Sequence, residues 1–146
     1  MNLIDTNGVH YVFTKNFALQ NNYYLAPDVE EEVEMTQIIH GKGLPARISK
    51  IIKSGNFDEA IYLKHYSDIL NKYGGRSFYN MTGFGDVSIL AATLMLIEVS
   101  VKQKLTQLFP NFEQVTIYTD DNGLIKKIKK ELAGKNILLR PSTDIS

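Results

Sequence analysis

The chain has 146 residues, of which 44% are hydrophobic and 22% charged, and this is the size and composition of one globular domain. It contains no cysteine, which excludes disulfides and thiolate metal sites and fits a reducing compartment. Its 16 acidic and 16 basic residues give a formal net charge of zero, so overall charge does not point to a polyanionic partner.

Four short apolar segments predict buried strands, at residues 2–4, 23–27, 114–119 and 136–141. The third is rich in β-branched and aromatic side chains, which favour strands. Helical patterns separate the segments, and strands joined by helices pair in parallel. The sequence therefore predicts an α/β fold, in a single domain over residues 1–146, with a central, mostly parallel twisted sheet flanked by helices.

The predicted helices are recognised by their starts and stops. One begins at Pro27, whose fixed φ suits the first helical position, and acidic side chains follow it. Amphipathic patterns predict helices within residues 44–55 and 57–75. Residues 86–108 are apolar nearly all round at first, which predicts a helix in the middle of the molecule. Residues 121–134 carry an apolar stripe that stops at Gly134.

Membrane association is not expected from the sequence. The longest apolar run, residues 87–101, is interrupted by polar side chains and is shorter than the roughly 20 residues that cross a bilayer. The N-terminus lacks a basic region followed by an apolar segment and a cleavage site. We therefore expect a cytoplasmic protein.

Four carboxylates from distant segments are expected at one edge of the sheet. Asp5 ends the first strand, Glu32 follows the second, Asp86 begins the apolar helix, and Asp121 follows the strand at 114–119. In an open parallel sheet, functional groups gather beyond the carboxyl ends of the strands. Because clustered carboxylates repel one another, the grouping predicts a hard divalent cation, Mg²⁺ or Mn²⁺, and phosphodiester hydrolysis.

The same four acids carry a family resemblance. The segments LIDTNGVHYVF, APDVEEEVEM, GFGDVSILAATLML and TIYTDDNGLIKKI resemble, in order and spacing, the four signature segments of PIN-domain ribonucleases. By length and motif style the chain is most similar to the VapC-like toxins of toxin–antitoxin pairs. The resemblance implies a metal-dependent endoribonuclease that acts on RNA, binds one or two Mg²⁺ or Mn²⁺ ions, forms a homodimer and is covered by a cognate antitoxin.

Applied motif by motif, the resemblance implies that catalysis and metal binding are carried out by Asp5, Glu32, Asp86 and Asp121. Glu32 would bind the metal directly or through water. Glu30, Glu31 and Glu34 compete with Glu32 for its role. One departure is Gly123, which stands where many family members carry a further acid. Asp120 could compensate from the neighbouring position, so the number of ions stays open.

Supporting roles are predicted for several other residues. Thr6, Asn7 and Thr119 are candidates for orienting carboxylates or water, with Asn7 and Thr119 preferred, although all three suit turns. The basic side chains that could contact RNA phosphates include Lys42, Arg47, Lys50 and Arg76; a solubilising surface is the alternative. The lysines at 126, 127, 129 and 130 lie off the apolar stripe and are interpreted as a solvated helix face.

Each acid taken singly has a simpler explanation. Asp5 and Asp121 suit turns and helix starts, Asp86 could satisfy backbone donors in a first helical turn, and residues 28–34 could be a solvated helix face. Two other functions also stay open. One is a PIN-like module that binds RNA or a protein without catalysis, and the other is a DNA-directed nuclease of similar fold.

Overall fold

A five-stranded sheet organises the part of the chain that the computed structural model describes, which is residues 1–35, 43–73, 84–106 and 114–146, with only the backbone of 103–106. Its strands are β1 (Asn2–Ile4), β2 (Tyr23–Leu25), β3 (Ile48–Lys50), β4 (Val115–Tyr118) and β5 (Ile137–Arg140). Their spatial order is β3-β2-β1-β4-β5, and every neighbouring pair is parallel. The predicted α/β class and parallel sheet are confirmed.

Helices connect the strands. They are α1 (Thr6–Lys15), α2 (Pro27–Met35), α3 (Glu59–Tyr73), α4 (Gly85–Thr106) and α5 (Asn122–Glu131), with short 3₁₀ turns at Ile51–Lys53 and Ser142–Asp144. Helix α1 has no counterpart among the predicted elements, because Asn7 and Gly8 are residues typical of turns. In the described part of the chain, no helix is both long and apolar enough to cross a membrane.

The core lies on both faces of the sheet and around α4. Leu3 and Ile4 are adjacent in β1 and both fully buried, and since successive strand residues point to opposite faces, both faces are covered. In α4 the side chains of Val87, Leu90 and Ala91 are also fully buried. The prediction of an apolar helix in the middle of the molecule is therefore confirmed.

The helix predicted within residues 44–55 is wrong. This segment forms β3, which pairs in parallel with β2 through Tyr23 and Ile48, and then the 3₁₀ turn. Arg47 has a left-handed φ of 71°, which ends any helical path two residues after Pro45. Ile51 is buried whereas Ile52 is 49% exposed, so the isoleucines do not share one face.

The strand order creates a switch point between β1 and β4. From β1 the chain moves outward through β2 and β3, and it then returns to place β4 on the opposite side of β1. In such sheets a crevice opens beyond the carboxyl ends of the two strands at the switch. Asp5 directly follows β1 and Thr119 directly follows β4, so both lie at this crevice.

Candidate functional site

Asp5 is held in place from two directions. It is only 6% exposed, its Oδ1 accepts a hydrogen bond from the Gly8 backbone N at 2.7 Å, and its Oδ2 accepts one from the Thr119 hydroxyl. Burial raises the pKa of Asp5 to about 6; the nearby charges of Asp120 and Asp121 add to the rise, and the two hydrogen bonds oppose it. The capping bond to Gly8 and the link to the segment after β4 together fix this carboxylate at the switch point.

Asp121 lies beside Asp5 and begins α5. Its carboxylate accepts a hydrogen bond from the Leu124 backbone N at 3.0 Å, and its own backbone N donates to the Thr119 hydroxyl oxygen at 3.0 Å. Thr119, 2% exposed, therefore ties Asp121 to Asp5. Asp120 is exposed and accepts a hydrogen bond from the Ser142 backbone N, so its carboxylate supports the C-terminal 3₁₀ turn.

Glu32 joins three helices. From α2 its carboxylate accepts a hydrogen bond from the Thr6 hydroxyl in α1 at 2.7 Å and another from the Gly85 backbone N in α4 at 3.0 Å. A Cβ at Gly85 would lie 2.6 Å from a Glu32 oxygen, so a larger residue there would displace this carboxylate. Among the neighbouring acids, Glu30 pairs with Lys50 while Glu31 and Glu34 are exposed. Glu32 is thus the acid of this run that reaches α4.

Asp86 differs from the other three acids. It lies in the first turn of α4, and its Oδ2 is buried without a hydrogen bond from the residues that the structure describes. The Lys127 ammonium lies 3.6 Å from this oxygen. Burial raises the pKa of Asp86 to about 6; the charges of Asp121 and Glu32 raise it further, and Lys127 opposes them. The electrostatic coupling to Asp121 and Glu32 shows that these carboxylates share one region of the molecule.

A polar network behind the acids links α2, α3 and α4. The Ser88 hydroxyl accepts a hydrogen bond from the Asp28 backbone N at 3.1 Å and lies 2.7 Å from the Tyr62 hydroxyl, while Tyr66 donates to the Asp28 carboxylate. Burial raises the pKa of Asp28, and the nearby Glu32 charge adds to the rise. The network fixes the starts of α2 and α4 relative to each other, and these two helices carry Glu32 and Asp86.

The structure adds Thr6 to the contacts of the site and overturns the interpretation of Lys127 as part of a solvated face. Asn7 is exposed in the first turn of α1, and it is Thr6 whose hydroxyl contacts a carboxylate of the site. Lys127 was assigned to a solvated face, but its side chain is only 15% exposed and lies against Asp86. The sequence signal that could have shown this is its position next to the buried Ile128 and three residues after the buried Leu124.

The proposed RNA-contacting residues lie outside this group where they are described. Arg47 is exposed and donates to the Gln20 carbonyl oxygen at 2.8 Å, and Lys50 pairs with Glu30 at the end of β3. Lys42 and Arg76 lie outside the described residues, as does Gly83 of the third motif. The described part of the chain thus adds one cation to the site, Lys127.

The carboxylates are neighbours without converging on one point. Among residues 1–35, 43–73, 84–106 and 114–146, no three histidine or acidic side chains lie close enough together to hold an ion as placed. Asp5, Glu32 and Asp121 each accept hydrogen bonds from the protein, and each thereby caps or contacts the first turn of a helix. The side chains would have to move to point at a common cation.

The donor set nevertheless suits a hard divalent cation. Every candidate group is a carboxylate oxygen, which Mg²⁺ and Mn²⁺ prefer. The Asp86 Oδ2 is buried without a hydrogen bond from the described residues, and such an oxygen is costly when charged unless a cation balances it, as Lys127 does in part from 3.6 Å. Asp5, Asp86 and Asp121, with Glu32 beside them, are the residues that could hold such an ion.

Comparison of the chain with protein-family models, with curated proteins and with solved structures gives no significant match.

Proposed function

We propose that this chain is a Mg²⁺- or Mn²⁺-dependent endoribonuclease of PIN-like fold, and that it acts as the toxin of a toxin–antitoxin pair. The parallel sheet with a switch point between β1 and β4 supports the proposal, because it brings segments that resemble the PIN signature motifs to one edge. The choice of RNA as substrate rests on that resemblance.

The observation that carries the proposal is the environment of Asp86. Asp5, Glu32 and Asp121 accept backbone hydrogen bonds at helix starts, and such bonds alone could account for them. In the part of the chain that the structure describes, the Asp86 Oδ2 accepts no such hydrogen bond and has the Lys127 ammonium at 3.6 Å, while burial and neighbouring charges raise the pKa of Asp86 to about 6. A buried carboxyl group with a raised pKa beside other acids is typical of a functional site.

The residues of the site have separable roles in this proposal. Asp5, Asp86 and Asp121 would hold the ion, with Glu32 contacting it directly or through water. When bound, the ion supplies charge neutralisation for the phosphodiester and activation of a water molecule. Thr119 and Gly8 orient Asp5, and Thr6 and Gly85 orient Glu32. The starts of α1, α4 and α5 meet at the site, and their positive dipole ends favour an approaching phosphate.

The decisive experiment compares the wild type with Asp86→Asn on single-stranded RNA, with Mg²⁺, with Mn²⁺ and with a chelator. We expect cleavage by the wild type only when metal is present, and a loss of at least about 100-fold in Asp86→Asn. Asp68→Asn is the matched control, because Asp68 is exposed on α3. Cleavage by Asp86→Asn at the wild-type rate would refute the assignment.

The toxin role has a separate test in cells. Expression of the wild type alone should arrest growth, expression of Asp86→Asn should not, and co-expression of the adjacent open reading frame should restore growth. The proposed homodimer is checked by the mass of the purified chain in solution. Normal growth with the wild type, at levels that give cleavage activity in extracts, would leave a ribonuclease that is not a toxin.

A second candidate is a module of the same fold that binds RNA or protein without catalysis. It is favoured by the separation of the carboxylates, since no three of the described acidic or histidine side chains converge, and by Gly123 in place of a further acid. Titration with Mn²⁺ distinguishes the two, because such a module should bind the ion weakly or not at all. Parallel digestion of single-stranded DNA tests the DNA-directed nuclease.

A further inference from the structure

Lys127 is the cation that the described part of the chain pairs with a carboxylate of the site. It lies in the second turn of α5, and its Nζ is 3.6 Å from the Asp86 Oδ2. The two side chains are 15% and 16% exposed, so water screens the pair only in part. Leu124 and Ile128 are buried on either side along α5, which fixes the helix and hence the reach of the lysine.

The contact uses the same oxygen that has no hydrogen bond. At 3.6 Å the ammonium offsets the charge of the Asp86 Oδ2 but is too far away for a normal hydrogen bond to it. A divalent ion at Asp86 would therefore meet a positive charge already in place, and the two cations would repel each other. Because a lysine side chain is long and flexible, Lys127 can swing away while α5 keeps its position.

Lys127 also lies where a phosphate would arrive. Asp121, one of the four acids, is the N-cap of α5, so the same helix has a carboxylate at its start and an ammonium in its second turn. An ammonium released from Asp86 would remain within reach of this region. It is a strong donor to phosphate oxygens.

We propose that Lys127 is a built-in counter-ion, which occupies Asp86 when no divalent ion is bound and turns to the RNA phosphate when Asp86 takes the ion. The inference rests on the proposed function, and it deepens it by naming a residue that links ion binding to substrate binding. Lys127 acts on the ion through Asp86 and on the RNA by direct contact with a phosphate.

The first arm of the test measures Mn²⁺ binding by calorimetry at pH 8 in the absence of RNA. The variant is Lys127→Met, which keeps the apolar stem and removes the charge. The control is Lys126→Met, an equal charge change at an exposed position of α5. We expect Lys127→Met to bind Mn²⁺ about tenfold more tightly than the control, because the competing charge has gone. Equal affinities in the two variants would overturn the inference.

The second arm measures RNA binding where turnover is blocked by Asp86→Asn. In this background position 86 carries no charge to attract Lys127 away from phosphate, so adding Lys127→Met should weaken RNA binding by about three- to tenfold relative to adding Lys126→Met. An equal affinity would overturn the substrate half of the inference. Thermal unfolding of each variant verifies that it is folded.

The two proposals fail in different ways. If the wild type binds Mn²⁺ and cleaves RNA but Lys127→Met behaves like Lys126→Met, only the counter-ion role is refuted. If neither the wild type nor Lys127→Met binds Mn²⁺, the metal-dependent function and the counter-ion role both fall. If Lys127→Met alone binds the ion, the competition between Lys127 and the ion is supported and metal binding by the wild type is refuted.

Discussion

Replacing Asp86 by asparagine should make the protein more stable at neutral pH while it destroys activity. The pKa of Asp86 rises from 3.8 to about 6 because burial, Asp121 and Glu32 all disfavour its charge. At about 1.36 kcal/mol for each pKa unit, the ionised carboxylate lowers the free energy of unfolding by about 3 kcal/mol. Asparagine has nearly the same shape without the charge, so most of this should be recovered at pH 7.5.

The stability that Asp86→Asn gains over the wild type must increase as pH rises. A carboxyl group whose pKa is raised on folding binds protons more strongly in the folded state, so stability falls as pH rises from about 4 to about 6. Below this window Asp86 is protonated in both states, and the advantage of asparagine disappears. Above it the advantage is constant. Lys127 moderates the penalty, and its effect is already contained in the pKa of Asp86.

The assay is urea unfolding of wild type and Asp86→Asn with a chelator present, at pH 7.5 and at pH 4. We expect Asp86→Asn to be more stable by about 1–3 kcal/mol at pH 7.5, with a gap that closes at pH 4. Asp68→Asn, an exposed change on α3, should show no such gap at either pH. A destabilised Asp86→Asn at pH 7.5, or a gap that does not change with pH, would refute the reasoning.

Three further substitutions separate structural from functional roles. Gly85→Ala places a Cβ 2.6 Å from a Glu32 oxygen, and because that carboxylate can move, we expect a stability change under about 1 kcal/mol but at least about tenfold weaker Mn²⁺ binding by calorimetry. Gly8→Ala places a Cβ 2.5 Å from the Ile4 side chain of β1. Urea unfolding should therefore show a loss of about 1–3 kcal/mol in the free energy of unfolding. An unchanged free energy would contradict this packing. Thr119→Val removes the hydroxyl that donates to Asp5 and should raise the carboxyl pKa of Asp5 above about 6 in an NMR titration, with Thr119→Ser restoring it.

Local patterns in the sequence were sufficient for the strands that pack in the core. The run from Val115 to Tyr118 is β-branched and aromatic, and β4 has these bounds. Edge strand β3 was missed because its three residues are followed at once by Ile51 and Ile52, and the combined apolar spacing imitates a helix. The left-handed φ of Arg47, which prevents that helix, has no signature in residue type.

At the candidate site, the sequence does not predict which side chains from distant segments contact one another. The order of strands and helices predicts that Asp5, Glu32, Asp86 and Asp121 lie at one edge of the sheet. It does not predict which side chain donates a hydrogen bond to which acid. Thr6 rather than Asn7 contacts Glu32, because the first turn of α1 turns the threonine toward α2 and leaves the asparagine exposed. Such choices depend on the rotation of each helix about its axis.

Helix capping and ion binding are alternative explanations for the positions of the same carboxylates. The charges of the site show which carboxylates each explanation covers. An acid at a helix start gains about 0.3–1 kcal/mol from the helix dipole, which is comparable to the roughly 1 kcal/mol of repulsion between two carboxylates 4 Å apart in water. Asp5, Asp121 and Glu32 all have this compensation, from α1, α5 and α4 respectively. Capping therefore explains why these three acids lie at one edge of the sheet.

Asp86 belongs to the same edge but lacks a comparable donor. It lies in the first turn of α4, where Glu32 already accepts from the Gly85 backbone N. Among the residues that the structure describes, the Lys127 ammonium at 3.6 Å is the cation that offsets the charge of its buried Oδ2. Capping thus accounts for three of the four acids and leaves Asp86 unexplained. The proposed cation-binding role would account for all four, and so Asp86 is the residue at which the two interpretations separate.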